Sequence, residues 1–128
     1  MSTLSRVLYV EDEPDIQTVA KMALELVGGF TVKVCSCGDE ALREAPAFAP
    51  DVILLDVMMP GLDGPSTLAA MRKNDALSSV PVIFMTAKVQ PMEVAHYTSL
   101  GACGVIAKPF DPMTLSDTVR SIWERRNG

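Results

Sequence analysis

The chain has 128 residues, 48% of them hydrophobic, and carries 16 acidic against 11 basic side chains for a formal net charge of -5. That length suits one ordinary domain, 1–128, with ample apolar material for a core. The acidic balance argues against a nucleic-acid-binding surface, which needs a basic face, and no apolar run approaches the ~20 residues that cross a bilayer.

The polar start, Met1 to Arg6, leads into an apolar run too short for a signal-peptide core. The expectation is therefore a cytoplasmic protein with neither nucleic acid nor membrane as a partner. Three cysteines, Cys35, Cys37 and Cys103, read as reduced thiols packed like small hydrophobes. A soft metal site joining Cys35 and Cys37 to Cys103 or His96 is the alternative, but a structural zinc usually takes four ligands at motif spacing.

Val7 to Val10 predicts a buried strand, and Asp15 to Val27 a helix begun near Pro14 and stopped by Gly28-Gly29. Thr31 to Cys35 follows as a strand and Asp39 to Ala47 as a short helix. Val52 to Leu55 is apolar without alternation, as expected where both faces of a parallel strand are covered. The turn-rich Pro60-Gly61-Leu62-Asp63-Gly64 precedes a helix over Pro65 to Lys73. A fourth strand, Val82 to Met85, leads to a helix near Pro91 to Leu100; a fifth, Val105 to Ala107, leads to a helix from Pro112 to Arg125. Five such units predict an α/β domain, a doubly wound parallel sheet with helices on both faces and right-handed crossovers.

In open sheets of this kind the functional crevice lies beyond the carboxyl ends of the strands. The residues falling there are Glu11-Asp12-Glu13 after the first strand, Asp56 after the third, Thr86 after the fourth and Lys108 after the fifth. Acids gathered at one crevice repel one another unless a cation lies between them. Carboxylate oxygens are the ligand type of Mg²⁺, with Lys108 as a second positive charge. A metal, a lysine, a hydroxyl and one spare carboxylate suit phosphoryl transfer, with the carboxylate as nucleophile. Other uses compete: Asp12 as a cap on the helix behind Pro14, Asp63-Gly64 as turn chemistry, Glu13 as a first-turn acid. Met58, Met59 and Met85 read as packing side chains, and His96 has no catalytic role.

Four strings carry a family likeness: Val7-Leu8-Tyr9-Val10-Glu11-Asp12-Glu13, Leu55 to Gly64, Met85-Thr86-Ala87 and Ala107-Lys108-Pro109-Phe110. Together, in order and over nearly the whole chain, they resemble the receiver domains of two-component response regulators. The resemblance implies a flavodoxin-like five-stranded sheet of order 2-1-3-4-5. It implies that Asp56 is the phosphoacceptor and that Mg²⁺ (or Mn²⁺) is held by Asp12, Asp56, the Met58 backbone carbonyl and, through water, Glu11. Thr86 and Lys108 would contact the phosphoryl oxygens, and Lys108-Pro109 would be cis. Met58 and Lys88 fall where the family controls water access to the phosphoryl group.

Two positions depart from the common pattern. Glu11 replaces the more usual aspartate, and Val105 stands where many relatives carry an aromatic ring that swings with the threonine. The expected function is a stand-alone, non-enzymatic signalling receiver. A sensor histidine kinase or histidine phosphotransfer protein would phosphorylate it, and it would act on an unknown downstream protein by contact. Alternatives are a phosphorelay intermediate and a phosphate-independent interaction module, though the intact acid, Asp56, Thr86 and Lys108 set opposes the latter. A metal-dependent phosphohydrolase would need an acid two residues after Asp56, where Met58 stands.

Overall fold

The computed structural model describes residues 3–127; residues 1, 2 and 128 of the expected domain lie outside them. In chain order the elements are β1 (Arg6–Val10), α1 (Pro14–Met22) continued by a π-type turn (Ala23–Val27), β2 (Thr31–Cys35) and α2 (Gly38–Phe48). Then come β3 (Val52–Asp56), α3 (Gly64–Arg72), β4 (Val82–Thr86), α4 (Pro91–Ser99), β5 (Gly104–Ala107) and α5 (Leu115–Asn127). All strand pairs are parallel, in the order β2-β1-β3-β4-β5. This is the expected doubly wound α/β sheet. Among the described residues no helix is long and apolar enough to cross a membrane.

Every residue of β3 and β4 is buried, because helices cover both faces of the central strands. One core layer joins Val7, Tyr9, Val52 and Leu54 to Ala20 of α1, to Leu24 of the π-type turn and to Val119, Ile122 and Trp123 of α5. The opposite layer joins Leu8, Val10, Ile53 and Leu55 to Ala41 of α2, Leu68 and Met71 of α3, and Tyr97 of α4. Odd and even positions of one strand thus feed two separate cores, as the period of two requires.

Several element boundaries differ from the sequence expectation. Asp56 and Thr86 are the last residues of β3 and β4 rather than the first beyond them, which anchors both in the sheet ladder. The helix expected over Asp15 to Val27 widens after Met22. There the buried Ser116 hydroxyl donates to the Ala23 carbonyl at 3.2 Å, and Gly28 N–H reaches the same carbonyl at 3.3 Å. Gly28 itself packs too close to Ser116 for any Cβ, which would lie 2.4 Å from its hydroxyl oxygen. The last helix begins at Leu115, not Pro112, because Asp111 first closes a turn with Met113 N–H at 2.9 Å and Leu115 N–H at 3.0 Å.

Candidate functional site

Glu11, Asp12, Asp56, Thr86 and Lys108 line one cleft of about 210 Å³ at the carboxyl ends of the strands, together with Glu13, Ile16, Met58 and Ala87. The sheet register explains the convergence. Val10 pairs with Leu55, Asp56 with Met85, and Thr86 with Ala107, so the next residues of β1 and β5 fall at the same height. Lys108 N–H extends the ladder to the Thr86 carbonyl at 2.9 Å. The Lys108-Pro109 peptide is cis, as the resemblance implied.

Asp56 is 3% exposed, and Glu11 is fully buried. Lys108 Nζ lies between them, 2.8 Å from Glu11 Oε1 and 3.3 Å from Asp56 Oδ2. Burial pushes the Asp56 carboxyl up to about 6, the charge of Glu11 adds to this, and Lys108 offsets only part. Burial acts the same way on Glu11, but the Lys108 hydrogen bond and charge outweigh it and hold Glu11 below the usual carboxylate range. Burial also disfavours the Lys108 ammonium, yet the bond from Glu11 and the charge of Asp56 hold its proton more tightly than normal. Four acids and one ammonium line the cleft and leave it with surplus negative charge.

Glu11, Asp12 and Asp56 each present a carboxylate oxygen, all within 4.8 Å of one another. Hard oxygen donors with uncompensated charge fit a divalent cation of the Mg²⁺ type. Asp12, half-buried, is not the cap of α1, since Glu13 occupies the N-cap position without a side-chain bond. Asp63 does cap α3, accepting from Ser66 N–H at 2.8 Å. Gly64 sits against β3 so closely that a Cβ would lie 2.7 Å from the Asp56 carbonyl oxygen. The turn segment therefore braces the end of β3.

Thr86 accepts from Lys88 N–H at 3.1 Å through its hydroxyl oxygen. Met58 is 67% exposed at the mouth of the cleft, whereas Lys88 lines a neighbouring one with Ala87, Val89, Gln90 and Glu93. Val105 is half-buried against the core layer under α2, α3 and α4, and pairs in register with Phe84. The three cysteines are free, Cys35 buried and the others half-buried. Burial pushes the Cys35 thiol up to about 11. His96 is exposed on α4.

Tyr9 escaped the sequence reading. Its ring is fully buried in the core, and its hydroxyl donates to Glu11 Oε1 at 3.1 Å. The signal was available: residues two apart on a strand share a face. Gln17 of α1 was missed too; its Nε2 donates to the Glu11 backbone carbonyl.

A parallel, doubly wound sheet with buried acids and a lysine at its carboxyl edge defines a class of phosphoacceptor-like α/β domains. Residues 7–120 match the model of the response regulator receiver domain, and the chain belongs to that family. It is 37% identical over 125 residues to the transcriptional regulatory protein CseB of Streptomyces coelicolor, covering 98% of this chain and 52% of that protein. It is 35% identical over 120 residues to the alkaline phosphatase synthesis transcriptional regulatory protein PhoP of Bacillus subtilis, covering 94% and 49% respectively. The chain thus spans about half the length of the curated relatives it matches. Among solved structures, the chemotaxis response regulator CheY4 of Vibrio cholerae superposes with a TM-score of 0.86 at 31% identity, over 94% of this chain and 99% of that one. Receiver domains of this family are signalling phosphoacceptors that partner with histidine kinases.

Proposed function

We propose that Asp56 accepts a phosphoryl group from the phosphohistidine of a sensor histidine kinase or histidine phosphotransfer protein, and that the phosphorylated chain signals by contact with another protein. The observation that carries this is the nearly buried Asp56 at the end of the central strand, with Lys108 Nζ 3.3 Å away. An Asp56 carboxylate oxygen attacks phosphorus, the phosphorus–nitrogen bond breaks, and the histidine leaves with the bonding pair. Lys108 moves onto the transferred oxygens, and the Thr86 hydroxyl donates to them.

Asp12 and Asp56 would hold Mg²⁺ directly with the Met58 carbonyl, and Glu11 through water. When bound, the ion supplies positive charge that offsets the repulsion between the acids and the incoming phosphoryl oxygens. The proposed setting is the cytoplasm, where free thiols such as Cys35 stay reduced. With Val105 in place of a swinging ring, the face beside β5 transmits the state of Thr86 without that movement.

Incubation with acetyl phosphate and Mg²⁺ should add one phosphoryl group to wild type and none to Asp56→Asn, whose amide is a poor nucleophile. Equal labelling of the two proteins by intact-mass spectrometry would falsify the assignment.

A further inference from the structure

We propose that Tyr9 is a positioning residue for Glu11: its buried hydroxyl keeps the glutamate carboxylate aimed into the acidic cleft, beside Lys108 in the resting protein and still after Lys108 moves to a phosphoryl oxygen. This rests on the reading of Asp56 as phosphoacceptor given above.

The Tyr9 ring is 0% exposed within the layer formed with α1 and α5, so its hydroxyl is cut off from water and needs an acceptor inside the protein. Glu11, two residues on along the same face, provides it at 3.1 Å. The acceptor is charged, which makes the bond stronger than a neutral one. Both carboxylate oxygens are engaged. Oε1 takes Tyr9 and Lys108 Nζ, the latter at 2.8 Å, and Oε2 takes Glu13 N–H at 3.3 Å.

Lys108 has two calls on one ammonium, since Asp56 Oδ2 lies only 3.3 Å away. A phosphoryl group on Asp56 would draw the lysine further toward that side. Glu11 would then lose its shortest side-chain bond, and of its side-chain partners only Tyr9 and the Glu13 N–H would still fix where its carboxylate points. Tyr9 remains, and the strand fixes where its hydroxyl lies.

The device belongs with glutamate. Compared with aspartate, Glu11 reaches roughly one carbon–carbon bond farther, about 1.5 Å, and has one more rotatable bond. The extra length lets the carboxylate meet the phenol of its own strand, and the extra torsion is what the phenol restrains. A shorter aspartate would sit back from Tyr9 and need no such tether.

The test is Mg²⁺ titration by calorimetry on four metal-free proteins: wild type, Tyr9→Phe, Glu11→Asp and the double variant, each checked by thermal melting. Tyr9→Phe should weaken Mg²⁺ binding about three- to fivefold, as loss of one hydrogen bond implies. In the Glu11→Asp background the same change should alter affinity by less than about twofold, since the interaction it removes is already gone. A merely structural tyrosine would weaken both backgrounds by one factor, and that result overturns the proposal, as does an unaffected Tyr9→Phe. Wild type that binds no Mg²⁺ would overturn the phosphoacceptor reading along with this one.

Discussion

Strand β3 carries an aspartate at each end, and the two are used in opposite ways. Asp51, just before the strand and half-buried, has its Oδ2 bonded by the backbone N–H groups of Ser5 at 3.0 Å and Arg6 at 2.8 Å. Its own backbone accepts from Trp123 Nε1 at 3.3 Å and donates to the Arg6 carbonyl at 2.8 Å. That acid latches the start of β1 and the α5 helix to the bottom of the sheet. Asp56, five residues on, is more deeply buried and far less well served. One carboxylate oxygen receives Met58 N–H at 3.3 Å, and the other shares Lys108 with Glu11. Matched donors make a carboxylate structural; burial with too few donors makes it reactive.

The comparison breaks most readily through metal affinity. Asp12→Ala should weaken Mg²⁺ binding by about 100-fold, as expected for the proposed direct ligand, and Glu11→Ala by about tenfold, in the range of outer-sphere partners. Asp51→Ala should leave Mg²⁺ affinity unchanged. Calorimetry giving a larger loss for Glu11→Ala than for Asp12→Ala would mean their proposed roles are exchanged.

Stability should separate the two ends of β3 by sign. Asp51→Ala frees two backbone donors and should destabilise by about 2 kcal/mol in urea melts. Asp56→Asn, in chelator at pH 7, should stabilise by about 2 kcal/mol. The Asp56 carboxyl is raised to about 6 from its ordinary value, and each pKa unit is worth about 1.4 kcal/mol. The sign follows from linkage: the folded state holds its proton more tightly than the unfolded state, so ionisation weakens the fold as pH rises toward 6. The advantage of Asp56→Asn should be full above pH 6 and fade as pH falls toward about 4. An advantage that grows in acid would refute this account of Asp56.

How far the sequence revealed all this depended on whether a residue's role is local. Unbroken apolar runs marked the central strands, and polar residues closing them marked the cleft. The two-layered core and the convergence of Glu11, Asp12, Asp56, Thr86 and Lys108 agree with that reading, whereas the strand order agrees with what the family resemblance implied. Asp51 gave no signal, because its partners Ser5 and Arg6 lie more than forty residues away. The widened turn after Met22 was equally hidden, since it depends on Ser116, 93 residues on from Ala23. Tyr9 looked like one more core residue in an apolar run, and only the bond to Glu11 separates it from Val7.

The smallest effect expected concerns how long Asp56 keeps its phosphoryl group. Hydrolysis needs a water in line with the bond between phosphorus and the Asp56 oxygen, so groups at the cleft mouth control its approach. Met58 is there, 67% exposed, apolar and unable to orient a water. Lys88 offers no acceptor, and its side chain lines the adjacent cleft, which makes it the weaker gate. The phosphorylated form should therefore be long-lived without a phosphatase. Met58→Asn, which gives water both a donor and an acceptor, should speed dephosphorylation roughly three- to tenfold, the worth of one modest hydrogen bond. Lys88→Glu alone should act less, and the double variant should be fastest. Decay followed by intact-mass spectrometry decides the matter: a double variant no faster than wild type means that water reaches Asp56 by a route these side chains do not control.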